Sequence, residues 1–341
     1  MSIYAAAYIA IVSIFAVILT IRDKNAAKKS AWRVKERTLL IVSMFGGSVA
    51  MLLTMLSVRH KTQHKKFMVG IPLMIIAQAT IIVIALNSSL SLSHYVVETD
   101  KINSEIKLAL VADLHSCDYG SGQIDLIRAI EAERPNAILL CGDIYDDDLP
   151  PENATEFIQV VSSGYPCFYV SGNHEFWSRQ ADDFKAILES NGVMVLEGTS
   201  EILEINGERI RISGIDDPDT DRYPSRSILY AEQINRLSAD LTDDGLFTIL
   251  LSHRPERINE LLPMSPDLVL SGHAHGGQWR LPVLLENGLL SPDQGLFPKY
   301  SNGEYIFGET KLLVSRGLAR ESTRRIPRIF NRPEIVVITL K

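Results

Sequence analysis

The sequence predicts an α/β domain built from layered sheets and helices, preceded by an N-terminal bundle of three transmembrane helices. Three observations lead there. Before residue 98 stand three apolar stretches without a charged residue, each about as long as a bilayer is thick. After it, short apolar runs alternate with amphipathic segments, and five of those runs end abruptly in clusters of Asp, Asn or His. A chain of 341 residues accommodates roughly two folding units, at about 150 residues each.

Charge divides along the same line. Residues 1–97 hold 11 Lys/Arg and two acids, Asp23 and Glu36, for a charge of +9; the remainder carries -16, and the whole chain -7. A domain that negative repels phosphate backbones, which argues against a nucleic-acid partner and against a nuclease. Phosphate chemistry there requires a local positive charge such as metal ions. The three cysteines, Cys117, Cys141 and Cys167, are odd in number and form no disulfide framework. Each sits beside a polar motif, which leans toward a reducing compartment.

The apolar stretches are Ile3 to Ile21, Thr38 to Val58, and Phe67 to about residue 88, with an apolar-leaning tail to Val97. Each reaches the roughly 20 residues that cross a hydrocarbon core. The first lacks a basic n-region and a small-residue cleavage site, so it reads as a retained anchor in a multi-pass protein of the bacterial cell membrane. The loop 22–37 contains seven Lys/Arg and the loop 59–66 four. If all three stretches cross, these loops lie on opposite faces, and the positive-inside rule places the soluble domain in the cytoplasm. A re-entrant middle segment would move it to the other side. The expected division is a transmembrane region, 1–97, and a catalytic domain, 98–341.

Within the second region, Ile106 to His115, Ala137 to Asp143 and Cys167 to Glu175 read as strands running into loops. Helices are expected between them at Gln123–Glu133 and Ala154–Ser162, and after them at Ala181–Ser190. Further strand-like runs are Glu208–Asp217, Leu246–Glu256, Asp267–Gly277, Lys311–Leu318 and Glu334–Leu340, with helices at about 227–240 and 256–262. In open α/β sheets, ligands collect where loops leave the carboxyl ends of strands.

The polar clusters are Asp113-Leu114-His115, Gly142-Asp143, Gly172-Asn173-His174-Glu175, Ser252-His253-Arg254 and Gly272-His273-Ala274-His275. All five histidines of residues 98–341 lie in them. Carboxylate, imidazole and amide donors together suit manganese first, with iron, zinc or magnesium also compatible. The donors suffice for two divalent metal ions, with Asp143 well placed to bridge. Such a pair can hold a hydroxide as nucleophile and clamp phosphoryl oxygens. His174, one residue past Asn173, can face the substrate as proton donor. Arg254 and Arg316 suit either a phosphate or salt bridges. Cys117 reads as a buried inert thiol, and Trp279 as either a stacking or a packing residue.

This ordered set resembles the calcineurin-like metallophosphoesterase superfamily. The resemblance implies a four-layer β-sandwich flanked by helices. It also implies one metal on Asp113, His115, Asp143 and His275 and a second on Asp143, Asn173, His253 and His273. His174 would then protonate the leaving group. Ser271–Pro282, Gly295–Tyr300 with Gly303, Val314–Leu318 and Arg328–Leu340 are similar to the membrane-associated YkuE-like branch, over about residues 103–341. That branch often carries an export signal or one anchor, from which this chain departs. Residues 1–90 resemble a family of small uncharacterised bacterial membrane proteins, through Asp23-Lys24 with Ala27, Arg33-Val34-Lys35-Glu36 before Leu39-Leu40, Gly46-Gly47, and Arg59-His60-Lys61-Thr62 with Phe67. That family usually has Pro at the position of Lys35. Gly46-Gly47 would permit close helix approach, and His60 and His64 suit a basic interfacial loop better than a metal site.

The expected function is a membrane-anchored phosphohydrolase with two metals, a phosphodiesterase or pyrophosphatase acting by a metal-bridging hydroxide. Its partners would be the lipid bilayer and a phosphoester that can be lipid-linked; related membrane-associated enzymes cleave the pyrophosphate of UDP-diacylglucosamine. The alternatives are a phosphomonoesterase of small soluble substrates and a non-catalytic metal-binding scaffold or sensor.

Overall fold

The computed structural model describes residues 3–223, 228–241, 244–320 and 326–341, so position 227 of the expected 227–240 helix lies outside it. The chain divides into two compact units, Met1–Leu86 and Asn87–Lys341.

Three segments of the first unit are long and apolar enough to cross a membrane. The first helix, Ile3–Lys28, runs seven residues past the apolar stretch. The helix formers Lys24, Ala26 and Ala27 extend it, and Lys28 in the last turn complements its dipole. The third is Lys65–Met68 followed by Gly70–Ala85. The middle one is not straight. Glu36–Val42 is helical, Phe45 and Gly46 leave the helical region (Gly46 φ 105°), and a second helix, Ser48–Ser57, follows.

The two ends of this middle segment meet. Lys61 Nζ lies 3.1 Å from Glu36 Oε1, and Lys66 pairs with the same carboxylate. Both ends also reach Asp23 near the end of the first helix: His60 Nε2 at 2.7 Å, Arg33 at 3.3 Å, and the Val34 amide at 3.0 Å. The turn itself lies toward the start of that helix, where Tyr8 donates to the Phe45 carbonyl. The segment is therefore a helical hairpin that enters and leaves at one end. Loops 29–35 and 58–64, expected on opposite faces, lie together, because hydropathy counts apolar length and not direction.

Breaking a helix in a hydrocarbon setting frees carbonyls that water cannot satisfy. Gln78 of the third helix donates to the carbonyls of Ser43 and Met44 and accepts from Ser48 Oγ. Gly47 does permit the expected close approach: a Cβ there would stand 3.0 Å from Ala16 Cβ.

The second unit contains β1 (Ser91–Val97), β2 (Ile106–Val111), β3 (Ala137–Cys141), β4 (Cys167–Val170), β5 (Met194–Val195), β6 (Thr199–Ile205), β7 (Glu208–Ile215), β8 (Phe247–Ser252), β9 (Leu268–Ser271), β10 (Leu290–Ser291), β11 (Gly295–Leu296), β12 (Gly303–Phe307), β13 (Thr310–Val314) and β14 (Glu334–Leu340). Two six-stranded sheets run β1-β14-β2-β3-β4-β5 and β12-β13-β9-β8-β7-β6; β10 and β11 form a separate ladder. Alternation sorts each strand between two cores. Leu108 and Leu110 of β2 face Ile212, Ile249 and Leu270 of the other sheet. Ala109 and Val111 face outward against Ile127, Phe157 and Phe184 of helices Ile124–Glu133, Glu152–Gly164 and Ala181–Ser190. The second sheet packs its other face on Tyr230–Asp240 and Ile258–Leu261 through Leu237 and Ile258. The order is helix, sheet, sheet, helix: the expected four-layer sandwich.

The expected boundary at 97 is displaced. Ser91–Val97 is no membrane tail but an edge strand, parallel to β14 from Ser91↔Glu334 to Val97↔Leu340. Its apolar Leu92 and Val96 face outward, so its pattern carries no core signature. His94 joins the second unit with it and pairs with Glu133.

In the full chain in membranes, cysteines at positions 36 and 61 should cross-link intramolecularly with a short thiol reagent, read by peptide mass spectrometry. A straight helix of about 20 residues would hold them roughly 30 Å apart.

Candidate metal centre

The clusters fall at the carboxyl ends of the parallel strands: Asp113 and His115 after β2, Asp143 after β3, Asn173 and His174 after β4, His253 after β8, His273 and His275 after β9. Both sheets therefore feed one crevice. Five of the seven candidate ligands take left-handed backbone: Asp113 (φ 51°), His115 (49°), Asp143 (51°), His273 (63°) and His275 (46°). Each such turn directs a side chain off the strand line into the crevice, at a cost in strain for a residue with a Cβ.

Hydrogen bonds hold these turns. Glu175, buried, accepts from the amides of Asp143, Ile144, Tyr145 and Gly172 at 2.7–3.1 Å, tying the β3 and β4 loops together. Asp143 Oδ1 accepts the His174 amide and Asp113 the His273 amide, both at 2.9 Å. Gly172 is required for contact: a Cβ there would stand 2.2 Å from Asp143 Oδ1.

Asp143 Oδ2 lies 3.1 Å from His253 Nε2 and 3.6 Å from His115 Nε2, between the two halves of the cluster. Asp113, His115 and His275 form one group able to hold a cation, and Asp143, His253 and His273 another. His115 donates Nδ1–H to Asp146 at 2.7 Å, and His253 donates Nδ1–H to the Cys141 carbonyl at 2.8 Å. Those acceptors fix the tautomer and leave each Nε2 lone pair pointing inward. Asp293 fixes His273 the other way, through Nε2 at 2.8 Å, so Nδ1 carries the lone pair. Among the described residues, His275 is approached by Arg328 at 3.5 Å from Nδ1 and by Asp113 at 3.9 Å from Nε2.

Among the described residues, His115 Nε2, Asp143 Oδ2, Asn173 Oδ1 and His253 Nε2 are buried without a well-formed hydrogen bond, Asp143 Oδ2 and His253 Nε2 meeting only as an ion-pair contact at 3.1 Å. Orphaned polar atoms are rare in native interiors. Here they converge as lone pairs from nitrogen and oxygen, a donor set that fits divalent cations. The electrostatics agree. Burial opposes a charge on His253, yet the Asp143 carboxylate outweighs it and raises the imidazole to about 10; His174 is lifted to about 11 by Asp143, Asp146 and Asp147. Burial pushes Asp113 up, whereas His253 and His174 overcome burial at Asp143 and hold it well below the usual carboxylate range. Burial also carries His273 down to about 4 and Glu175 up to about 7. The carboxylates draw positive charge into a space with little water, which is what a cation site does.

His174 stacks edgewise on His115 at 4.4 Å between ring centroids, and its Nδ1 lies 2.5 Å from Asp147 and 3.4 Å from Asp146. Sequence reasoning missed Asp146 and Asp147, although the run Asp146-Asp147-Asp148 begins three positions after Asp143 of the motif Gly142-Asp143. Asp293 had no local signal at all. Arg254 is bound to Asp217 and Asp293, and Arg316 to Glu334, so both form ion pairs. Cys117 is buried. Trp279 is partly exposed and donates to the Pro327 carbonyl.

A model of calcineurin-like phosphoesterases matches residues 106–277. The metallophosphoesterase YkuE of Bacillus subtilis is 31% identical over 249 residues, 69% of this chain and 79% of its own. The chain belongs to the calcineurin-like phosphoesterase family, whose members are metal-dependent phosphoric ester hydrolases with a dimetal centre. An Aquifex aeolicus metallophosphoesterase is 29% identical over 74% of this chain and 92% of its own. A Danio rerio transmembrane protein with metallophosphoesterase domain is 27% identical over 70% of this chain, which spans 53% of that protein. Residues 13–67 match a family of proteins of unknown function, DUF1294.

Replacing Asp146 with Asn should weaken divalent-metal affinity about 10–100-fold, the usual cost of losing a carboxylate behind a ligating imidazole. Chelator competition on purified protein measures it.

Proposed function

We propose that the protein is a membrane-anchored phosphohydrolase that cleaves a phosphodiester or pyrophosphate, with a lipid-linked substrate favoured by its apolar helices. The observation that carries this reading is the convergence of four orphaned, buried donor atoms from four different strand ends. Asp113, His115, Asp143 and His275 hold one cation; Asp143, Asn173, His253 and His273 hold the other, manganese being the best match to the donors. A bound metal pair supplies Lewis acidity and a nucleophile of lowered pKa. The chain supplies the rest. Asp143 sets the spacing between the two groups. His174, its Nδ1–H held by Asp147, keeps a proton on Nε2 at neutral pH and delivers it to the departing oxygen.

The hairpin supports one orientation. With both basic loops at one end of the first unit, all 11 Lys/Arg of residues 1–86 face one side. The third apolar helix then leads the chain away from that side. The positive-inside rule puts the basic end in the cytoplasm and residues 87–341 outside it, the reverse of the arrangement expected from three crossings.

Purified full-length protein should hydrolyse bis(p-nitrophenyl) phosphate with manganese and lose this with chelator or with Asp143→Asn. His174→Ala should lower kcat by about 10²–10⁴ with little change in KM. No turnover with any divalent metal on lipid, nucleotide or sugar phosphoesters would leave a binding protein instead.

A cation that takes His253 Nε2 must displace a proton held up to about pH 10. Apparent metal affinity should therefore rise with pH, up to roughly tenfold per unit for one proton exchanged, between pH 6 and 9. A periplasm-dependent reporter fused after Lys341 should be active, and a cytoplasm-dependent one silent.

A further inference from the structure

Between the metal-ligand loop and β12 the chain makes an excursion, residues 279–300, that is bolted to the site and covered with exposed apolar side chains. Leu289 donates to the carbonyls of Gly277 and Trp279, and Phe297 donates to Leu289. At the turn between β10 and β11, Asp293 bonds His273 and Arg254. The excursion is thus fixed to a candidate ligand. Yet Val283 is 86% exposed, Leu284 80%, Leu296 67% and Phe297 66%. Single exposed apolar residues need no explanation, but four within residues 279–300 do. Val283 sharpens the point. It holds φ +70° at an exposed turn where Gly or Asn would relieve strain, and packing in the domain does not account for a β-branched residue there.

Beside this apolar edge runs a basic segment in a domain whose net charge is -16. Ile329 pairs with Trp279, and Gln278 donates to the Ile326 carbonyl, so residues 326–332 lie against the root of the excursion. Among the described residues, Arg320, Arg328 and Arg332 meet backbone carbonyls, not carboxylates: Asp118, Arg316 with Gly317, and Ser89 with Leu90. The Arg328 guanidinium turns inward beside His275, whereas Arg320 is exposed and Arg332 partly so. Ser89 follows the last residue of the third apolar helix by four positions, a reach of at most about 14 Å, so Arg332 is a juxtamembrane cation by connectivity.

Apolar tips flanked by arginines are the composition that settles at an anionic bilayer interface, side chains among the upper acyl chains and guanidinium groups among phosphates. We propose that Val283, Leu284, Leu296 and Phe297, with Arg332, form a bilayer-contact edge that seats the metal-ligand pocket at the headgroup plane of an anionic membrane. Its consequence for substrate, a phosphoester carried on a lipid, rests on the hydrolase reading above; the contact itself does not.

The test uses the full chain in vesicles of mixed phosphatidylcholine and phosphatidylglycerol, and of phosphatidylcholine alone. An environment-sensitive fluorophore is attached through Leu284→Cys or Phe297→Cys, with Ser190→Cys on the exposed end of its helix as control; the native cysteines are buried and do not compete. Nitroxide on the lipid acyl chain should quench the two edge labels roughly threefold or more above the control, most strongly in the anionic vesicles. Edge labels quenched only by aqueous iodide, like the control, would overturn the contact. Equal quenching in both lipids would overturn the part assigned to Arg332. Turnover measured on the same vesicles separates the two readings: quenched labels on an inactive protein uphold the contact and sink the hydrolase.

Discussion

Carboxylates and imidazoles forced together without water are the constraint around which this domain is organised. Five candidate ligands hold left-handed backbone. At about 1–3 kcal/mol each, that strain is on the order of 5–15 kcal/mol, as large as the net stability of a typical domain. It persists because the rest of the fold over-determines it. The amides gathered by Glu175 and Asp113 lock the turns, and the parallel strands beneath them are buried on both faces. Divalent cations complete the balance, since ligands that bind only the folded form stabilise it.

Much of this crevice was legible in the sequence because polar clusters after apolar runs break a strong pattern. Asp113, His115, Asp143, Asn173, His253, His273 and His275 each follow a strand closely, which makes them candidates from the sequence. The partners that orient them were not candidates. Asp293 reaches His273 from a hairpin 20 residues away, and the Cys141 carbonyl that fixes His253 is backbone, invisible to residue type. The layered sandwich was likewise readable from alternation, except at β1, whose apolar side chains face outward.

The first unit shows a different limit. Apolar length identified all three segments but not the reversal at Phe45-Gly46, since the residues on either side of the break are equally apolar. What betrays the turn is its polar company. Gln78 and Ser48 meet beside the freed carbonyls, and Asp23, Glu36, His60 and Lys61 gather at the other end. Buried charges and amides in such a setting are retained where backbone would otherwise go unsatisfied. Here they fix the fold of the hairpin, and with it the side to which the following domain is assigned.

The placement of β14 has a consequence for biogenesis. It is antiparallel to β2 and parallel to β1, two strands made more than 200 residues earlier, and fills the gap between them. During synthesis the apolar helices are available for insertion long before that gap can close. The first sheet therefore stays open along β2 until Glu334–Leu340 has left the ribosome. A nascent chain in that interval exposes a row of unpaired amides, and its maturation depends on β14 arriving before another chain's strand takes the place.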